Sequence, residues 1–442
     1  MNKQVNLNRS TLNNESNKSI LVVSYYYSPC LGVATYRPLS WVNEFVNQGY
    51  KVTVITRHWT GKEVTWGDYI KPNRSMRIVV QEENSAEVVY LPVNQKWWVR
   101  WPDLKSPLKQ FAGRAIYLLN VFTGGFNPEL AGYNTFVEEF KSQIKTNKFK
   151  YIILTCPPID LSRLAMVAHK LTDSKVIVDF RDLWNNRLLS NIYRPGFKEI
   201  ILNLHTILRL KKWLAGIDMC TIASPDFKTH LGKITNAEIF TLYNGFNKKY
   251  RDEITKVSDS KFRITIVGTI YPKQDLNIFI SGLNQFIAQH EENSILLRLV
   301  GLTQFPEIVS RLKSEIFNVE IQSIPKLPQA EAIKYTVNTE VLFYPAWKGM
   351  RGIVSTKIFD YISSGNHVII APGDDNVIDF LVSSSNSGKS FNSASELSNH
   401  LSKLYSSWRS AGKLSTSINE EFVNYFSREN LSKIFFNRIK EL

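Results

Sequence analysis

The stretch that decides the fold is Ile20-Leu21-Val22-Val23-Ser24-Tyr25-Tyr26-Tyr27, which runs into Ser28-Pro29-Cys30-Leu31-Gly32. A continuous apolar run that ends in turn residues is typical of a strand buried on both faces of a parallel sheet. The segment from Pro38 to Gly49 follows, with a proline suited to a first helical turn, one apolar face and a glycine stop. Residues 51–56 fit the next strand, so the sequence predicts a strand, a helix and a second parallel strand.

The same alternation of strands and helices continues along the chain in two arrays. A charged stretch without periodicity separates the arrays. Open parallel sheets of this kind bind ligands at the carboxyl ends of their strands. We therefore predict two doubly wound α/β domains facing each other across a cleft. The further predicted strands are 151–155, 175–179, 217–224 and 238–242 in the first array, and 262–267, 295–300, 319–322, 340–344 and 367–371 in the second.

The domain boundaries follow from these arrays. A chain of 442 residues exceeds what one core usually organises, which agrees with two domains. The predicted division is a disordered polar tail (1–19), a first Rossmann-like domain (20–246), a linker (247–261), a second Rossmann-like domain (262–415) and a terminal helix that crosses back to the first domain (416–442).

Several classes of protein are excluded by short motifs that the sequence lacks. No two glycines are separated by a single residue, and no phosphate-loop motif occurs, so nicotinamide chemistry and P-loop hydrolysis are not indicated. No two aspartates are separated by one residue either, so we expect no divalent metal and no other cofactor. The three cysteines, Cys30, Cys156 and Cys220, lie far apart and are interpreted as reduced packing residues.

The chain carries a formal net charge of +15, from 54 basic and 39 acidic residues. This balance predicts attraction to nucleic acid, to an anionic membrane surface or to phosphorylated ligands, without choosing among them. No run reaches the roughly 18 to 20 apolar residues needed to span a bilayer. Residues 1–19 have no segment of signal-peptide type, and we expect a cytoplasmic protein.

Four segments together resemble the GT-B glycosyltransferases, in particular the family 4 enzymes of bacterial surface-polysaccharide assembly. They are placed, in this order, at the carboxyl ends of predicted strands, and together they span nearly the whole chain beyond the polar tail. They are Tyr25-Tyr26-Tyr27-Ser28-Pro29 with Gly32 and Arg37, Val178-Asp179-Phe180-Arg181-Asp182-Leu183-Trp184, Leu242-Tyr243-Asn244-Gly245-Phe246-Asn247, and Lys357-Ile358-Phe359-Asp360-Tyr361-Ile362-Ser363-Ser364-Gly365.

The second domain is the predicted donor side. Gly268 ends its first strand, and the loop to Lys273 leads into a helix, so backbone amides and a lysine are placed to meet a phosphate. The resemblance implies that Asp360, in place of the usual Glu, holds the donor ribose. Lys357, one turn earlier, would neutralise the diphosphate, helped by amides at Val354, Ser355 and Thr356. The alternative is a surface ion pair between Lys357 and Asp360.

One departure from the family pattern concerns the sugar. The wider family has a second Glu eight positions before the ribose-binding one, and here that position is Gly352. Sugar recognition would then depend on neighbouring backbone amides or on Arg351. Two other functions stay open for this reason, a nucleotide-sugar 2-epimerase-like enzyme and a catalytically inactive GT-B partner subunit.

The first domain is the predicted acceptor side. Arg181-Asp182 stands where many relatives have His-Asp, so Asp182 is the candidate acid or base, with Arg181 and Asp179 orienting it. The alternative is an internal ion pair of Arg181 with one of these aspartates, which would only fix the loop. Gly32 would allow close approach of a ligand, Arg37 would contact a phosphate, and Pro157 belongs to a rigid loop that resembles the family's acceptor loop.

The resemblance implies a hexosyltransferase that retains anomeric configuration and uses a nucleotide diphosphate sugar without metal. The acceptor would be a glycan or a polyprenyl-linked molecule. Residues 96–127 form an insertion with Trp97, Trp98 and Trp101 among basic residues, which predicts docking on an anionic membrane, with core packing as the alternative. No module for specific nucleic-acid binding is recognisable.

Overall fold

The computed structural model describes residues 18–63, 68, 71, 76–81, 86–93, 106–122, 133–184, 196–257, 260–290, 294–302, 304–414 and 416–442. Most of the predicted polar tail and the three insertion tryptophans lie outside the described residues. The chain divides into two units, and the division falls between Leu242 and Tyr243 and again between Leu431 and Ser432. Among the described residues, the first unit comprises those within 18–184, 196–242 and 432–442, and the second comprises those within 243–431.

The first unit is built on an eight-stranded sheet with the order β3-β4-β2-β1-β5-β6-β7-β8. All of its neighbouring strands are parallel except β3, which pairs with β4 antiparallel. Its strands are Ser19–Ser24 (β1), Lys51–Arg57 (β2), Ile78–Gln81 (β3), Glu87–Leu91 (β4), Tyr151–Cys156 (β5), Lys175–Phe180 (β6), Met219–Ile222 (β7) and Glu238–Thr241 (β8). Its α-helices are Tyr36–Asn47 (α1), Pro107–Phe122 (α2), Tyr133–Thr146 (α3), Arg163–Leu171 (α4), Phe197–Trp213 (α5) and Lys228–Leu231 (α6).

The second unit has a six-stranded, fully parallel sheet with the order β11-β10-β9-β12-β13-β14. This is the order 3-2-1-4-5-6 of the doubly wound dinucleotide-binding fold. Its strands are Phe262–Val267 (β9), Ile295–Val300 (β10), Glu320–Ile324 (β11), Val341–Tyr344 (β12), His367–Ile370 (β13) and Gly388–Ser390 (β14). Its α-helices are Lys248–Asp252 (α7), Asn277–Ile287 (α8), Pro306–Glu315 (α9), Gln329–Val337 (α10), Thr356–Ser363 (α11), Val377–Ser384 (α12), Ala394–Ala411 (α13) and Glu420–Tyr425 (α14), followed by Arg428–Lys440 (α15), which begins in this unit and ends in the first.

The predicted fold class is confirmed, because each unit is a doubly wound α/β sheet. Strand β1 is buried along its whole length and pairs in parallel with β2 on one side and β5 on the other, as expected for the central strand. The predicted strands all occur, with ends shifted by a few residues. Strands β3, β4 and β14 are additional to the prediction.

The predicted linker contains a short helix. Residues 247–261 belong to the second unit, and part of them forms α7, whose first turn is capped by the Asn247 side chain accepting from the amide of Tyr250. The charged composition gave no signal for this helix, because a short capped helix needs no apolar periodicity when it is largely exposed, and the role of the segment as a linker stays a prediction.

The end of the chain completes the core of the first unit. In α15, Phe435 packs against Trp41 with ring centroids 4.8 Å apart, and Phe436 packs against Phe45 at 5.9 Å. All four rings are buried, and such aromatic pairs contribute about 0.5–1.5 kcal/mol each beyond their burial. The last residues of the chain are therefore a structural part of the first unit.

Candidate functional site

The second sheet reverses its strand order between β9 and β12, because β9 pairs with β10 on one side and β12 on the other. Loops that leave the carboxyl ends of two such strands diverge and open a crevice for ligands. Two residues mark these ends. Val267 is the last residue of β9, and Tyr344 is the last residue of β12.

Lys357 joins these two strand ends. Its Nζ donates a hydrogen bond to the carbonyl oxygen of Thr269, at 3.0 Å, and lies 5.1 Å from the centroid of the Tyr344 ring. Burial lowers the pKa of Lys357 to about 8. An ammonium group held in a poorly hydrated position attracts an anion more strongly than a solvated surface lysine does.

Gly268 lies directly beside this lysine. Its φ is +83°, a left-handed conformation that favours glycine, and a Cβ added there would stand 3.9 Å from Cδ of Lys357. The glycine thus turns the chain sharply after β9 and keeps its backbone open next to the lysine, and its contact with a phosphate stays a prediction.

Helix α11 begins at the same place. Its N-cap residue, Ser355, makes no capping bond with its side chain, and its Oγ lies instead 2.9 Å from the Tyr344 hydroxyl. The preceding residue, Val354, accepts a hydrogen bond from Asn244 Nδ2 through its carbonyl oxygen, at 3.5 Å. The positive end of the helix and the amides of its first turn, at Thr356 and Lys357, therefore complete an arrangement suited to a phosphate.

Asp360 lies one turn further along α11 and faces α10 rather than Lys357. Its Oδ2 accepts a hydrogen bond from Gln329 Nε2, at 3.3 Å, while its Oδ1 is buried with no hydrogen-bond partner among the described residues. Burial raises the pKa of Asp360 to about 6, an effect that the guanidinium of Arg428 opposes. One oxygen of this buried carboxylate can therefore accept a further hydrogen bond, and within the described part of the chain the carboxylate forms no ion pair with Lys357.

Arg428 connects Asp360 to the start of α15. Its Nη1 donates to Gln329 Oε1, at 3.5 Å, and its Nε donates to the carbonyl oxygen of Asn244, at 3.4 Å. Gln329 therefore contacts both the carboxylate and the guanidinium. Sequence reasoning missed Gln329 and Arg428, because neither lies in a segment that resembles the family.

Tyr361 is a further residue that sequence reasoning missed. Its hydroxyl accepts a hydrogen bond from the amide of Val267, at 2.7 Å, and fixes α11 to the end of β9. Tyr361 lies in the segment Lys357–Gly365 that resembles the family, so its position next to Asp360 could have indicated a role at this site.

The remaining predicted donor residues are placed differently. Lys273 and Arg351 are both exposed, on the loops that follow β9 and β12. Gly352 has a φ of +73°, so the backbone at this position is left-handed. A glutamate there would be strained, which gives a physical reason for the departure from the family pattern.

In the first unit, Asp179 lies in a buried polar cluster. Its Oδ1 pairs with Nη2 of Arg37, and its oxygens also accept hydrogen bonds from Thr155 Oγ1 at 2.9 Å and from Thr221 Oγ1 at 2.6 Å. Burial lowers the pKa of Arg37, and the neighbouring Asp179 opposes that shift. Both side chains are almost completely buried, and Asp179 forms its ion pair with Arg37 rather than with Arg181. The predicted phosphate contact of Arg37 stays a prediction. In this structure its guanidinium is buried and pairs with Asp179.

Arg181 and Asp182 follow β6 at the carboxyl edge of the sheet. Arg181 Nε lies 3.4 Å from Asp182 Oδ2, and the Asp182 side chain is 52% exposed. The weak, solvated pair leaves the Asp182 carboxylate accessible to a ligand. The proposed role as acid or base stays a prediction.

The two loops next to this pair contain the other predicted residues. Gly32 is buried and its amide donates to Sγ of Cys30, at 3.4 Å, while Pro157 is half-buried in the loop after β5. The carbonyl oxygen of Cys156 accepts from the amide of Arg181, at 3.0 Å. Burial raises the pKa of the Cys156 thiol well above its ordinary value, which suits packing and not nucleophilic attack.

Each unit thus brings together part of its predicted set, at the carboxyl edge of its own sheet. In the second unit, Gly268, Lys357 and the start of α11 meet, whereas Lys273 and Arg351 stay on the surface. In the first unit, Arg181 and Asp182 meet, and Arg37 and Asp179 form a separate buried pair. Within the described residues, no group of three or more His, Cys, Asp or Glu side chains is arranged to hold a metal ion. Metal independence stays a prediction.

Solved structures share this architecture along 96% of the chain. Sucrose-phosphate synthase of Thermosynechococcus elongatus matches with a TM-score of 0.61 at 14% identity, over 98% of its own chain. The trehalose-6-phosphate protein of E. coli, bound with UDP-2-fluoro glucose, matches with a TM-score of 0.62 at 9% identity, over 99% of its chain. HepE of Anabaena, in complex with UDP and glucose, matches with a TM-score of 0.56 at 12% identity, over its full length.

These likenesses show the fold, which is the GT-B fold of two Rossmann-like domains. No protein-family model and no curated protein sequence matches the chain. The predicted membership of family 4 therefore stays a prediction.

Proposed function

We propose that the protein is a glycosyltransferase that moves a sugar from a nucleotide diphosphate donor to a glycan or a lipid-linked acceptor. The observation that carries this proposal is the position of Lys357, which joins the ends of β9 and β12 at the start of α11. Fold alone does not imply function, but a buried cation and a helix terminus at the switch point are suited to a diphosphate. Of two structures with the same fold, one is bound with UDP-2-fluoro glucose and the other is in complex with UDP and glucose, which supports a nucleotide-sugar donor.

The proposed roles follow from the geometry of each unit. Lys357 and the first amides of α11 would stabilise the negative charge that develops on the departing diphosphate. Asp360 would accept hydrogen bonds from the ribose hydroxyls, and its unpaired Oδ1 supports this role. Asp182 would act as the acid or base toward the acceptor.

Further parts of the proposal depend on the resemblance to family 4. They are transfer of a hexose with retention of configuration, independence of metal, and a role in the synthesis of cell-surface polysaccharide. The protein would work in the cytoplasm, at the inner face of the membrane, where a polyprenyl-linked acceptor is available.

Donor binding is the first test. A panel of nucleotide sugars and nucleoside diphosphates should raise the melting temperature selectively, because a ligand at 100 times its dissociation constant stabilises a protein by about 2.7 kcal/mol. The stabilising sugar nucleotide is then supplied with candidate acceptors, with and without a metal chelator. If no nucleotide raises the melting temperature, the assignment of a donor site to the second unit is wrong.

Gly352 favours a second candidate, a GT-B partner subunit without catalytic activity. A glycine stands where the wider family has the acidic residue that contacts the sugar, and its left-handed backbone disfavours a glutamate there. Such a subunit would bind the nucleotide, yet neither transfer nor hydrolyse the sugar with any acceptor. A 2-epimerase-like enzyme would instead convert the nucleotide sugar into its C2 epimer in the absence of an acceptor, with the glycosyl–diphosphate bond present in the product.

A further inference from the structure

One face of helix α5 is apolar and exposed. Phe197 is 80% exposed, Leu204 56% and Leu208 59%, and Ile200 and Ile201 between them are also exposed. Positions 197, 200, 201, 204 and 208 recur at intervals of three and four residues, so these side chains form one continuous stripe. Single exposed apolar side chains are ordinary on a protein surface, but a stripe of five large ones marks an interaction site.

The opposite face of α5 attaches the helix to the first unit. Asn203 accepts a hydrogen bond from Trp184 Nε1, at 2.8 Å, and Arg209 Nη2 lies 3.1 Å from Asp160 Oδ1. Trp213 is buried, and the guanidinium of Arg209 lies 4.4 Å from the centroid of its ring. These contacts fix the orientation of α5 on the first unit and leave its apolar stripe exposed to solvent.

The charges of α5 indicate what covers this stripe. Lys211 and Lys212 are exposed at the end of the helix, and the helical repeat places them on the same side as Leu204 and Leu208. The one acidic residue of α5, Glu199, makes a capping bond to the amide of Gly196. Lysine is depleted from protein–protein interfaces, whereas an anionic lipid surface attracts it.

Helix α2 has the same character. Its exposed large apolar side chains include Leu108, Phe111 and Leu119, its charged residues are Lys109 and Arg114, and its sequence contains no Asp or Glu. No helix within the described residues is both long and apolar enough to cross a membrane. Amphipathic helices of this kind instead lie in the plane of the lipid interface.

We infer that α5 docks the protein on the surface of an anionic phospholipid bilayer. Its five apolar side chains enter the boundary between headgroups and acyl chains, and Lys211 and Lys212 contact lipid phosphates. This surface lies outside the tryptophan-rich insertion, and the inference does not depend on the transferase assignment.

Sedimentation of the full-length protein with vesicles tests the inference. The vesicles contain equal parts of phosphatidylglycerol and phosphatidylcholine, with pure phosphatidylcholine as the comparison. Leu204→Ser/Leu208→Ser should lower the partition onto both kinds of vesicle by about tenfold or more. Lys211→Gln/Lys212→Gln should lower it by about fivefold for each lysine, on the anionic vesicles only.

The matched control is Phe317→Ser, which removes a side chain of similar exposure, 61%, from the second unit. It should sediment like the wild type. The inference is overturned if both α5 variants, shown to be folded by their melting temperatures, bind vesicles like the wild type. It is also overturned if the α5 variants bind vesicles like the wild type but have a lower molecular mass in solution, measured by light scattering. The stripe is then an interface between copies of the chain. Calorimetry with UDP in the absence of vesicles reports on the donor site separately.

Discussion

Lys357 Nζ lies 3.0 Å from the carbonyl oxygen of Thr269, so a side chain from α11 is held against the turn that follows β9. The contact spans 88 residues of sequence and places one ammonium group at the switch point of the second sheet. Because burial lowers the pKa of Lys357 to about 8, this cation is only partly protonated in mildly alkaline solution. Binding of an anionic ligand at this position should therefore be coupled to the uptake of a proton by Lys357.

The first prediction concerns that proton. A bound diphosphate favours the charged lysine and raises its pKa, so UDP binding at pH 8.5 should take up a proton and weaken as the pH rises through about 8. Calorimetry in two buffers with different ionisation enthalpies measures the uptake directly. Lys357→Met should abolish the uptake, whereas Lys273→Met, on the exposed loop, should keep it. Unchanged proton uptake in Lys357→Met would assign the linkage to another group.

The second prediction separates the affinity and the stability effects of Asp360. Asp360→Asn should weaken UDP binding by about ten- to a hundredfold, because hydrogen bonds to a charged group contribute roughly 1.5–3 kcal/mol. The variant should nevertheless melt at the same temperature as the wild type or higher at pH 8, since burial raises the pKa of Asp360 to about 6 and disfavours its charged form. The variant's advantage in stability should shrink as the pH falls from about 6 towards the ordinary aspartate pKa of about 4, where the wild-type carboxyl is neutral too.

The deoxyribose analogue of UDP serves as the control for this site. The wild type should prefer the ribose form, and Asp360→Asn should lose most of that preference. If the variant prefers the ribose form by the wild-type margin, Asp360 does not hold the diol.

The third prediction concerns the acceptor side. Asp182→Asn should lower turnover by about 100-fold or more, with unchanged UDP affinity and unchanged melting temperature, because general acid and base roles typically contribute that much. Its exposure predicts that the substitution is structurally mild. Asp173→Asn, at an exposed aspartate of the same unit, should transfer sugar at the wild-type rate. Full activity in Asp182→Asn would remove this residue from the reaction.

The fourth prediction concerns the buried pair of Arg37 and Asp179. Asp179→Leu should destabilise the protein by about 3–5 kcal/mol, because it leaves a buried guanidinium without its counter-charge. Arg37→Met/Asp179→Leu should recover a large part of that loss. Urea denaturation of both single variants and the double variant gives the coupling energy. Additive losses would show that the two side chains act independently.

The fifth prediction concerns two histidines in the second unit. His367 Nε2 lies 2.8 Å from His400 Nε2, and burial lowers the pKa of His367 to about 4. The unfolded chain then binds more protons than the folded one, so stability should fall as the pH drops from about 6.5 to about 4 and level off below that. His367→Gln, which stays neutral, should lose less stability across this window in urea titrations. Parallel curves for the two proteins would exclude this histidine as the source.

The fold was predictable because its signals are local. Apolar runs such as Ile20–Tyr27 and turn residues such as Gly268 specify buried strands and their ends without knowledge of their partners. Strand β14 is the opposite case, since its three residues are Gly, Lys and Ser and only its backbone pairing with β13 makes it a strand. A Cβ at Gly388 would overlap the carbonyl oxygen of Val368, at 1.7 Å, so this glycine serves close packing of the two strands.

The candidate site was predictable only in part. Lys357 and Asp360 were found because they share one short segment that resembles the family. Arg37 shows the limit of this reasoning, because its partner Asp179 lies 142 residues away and nothing local distinguishes a buried arginine from a ligand-binding one. Gln329 and Arg428 were missed for the same reason, since their contacts depend on elements far apart in sequence.

The packing of Phe435 and Phe436 on α1 has a consequence for biosynthesis. Domains emerging from a ribosome generally fold in order, the first before the second. Here the rings that cover Trp41 and Phe45 are translated only after the whole second unit has been made. The rings of Trp41 and Phe45 therefore stay uncovered by α15 until synthesis reaches the end of the second unit, and an aromatic surface exposed during that interval favours aggregation or chaperone binding.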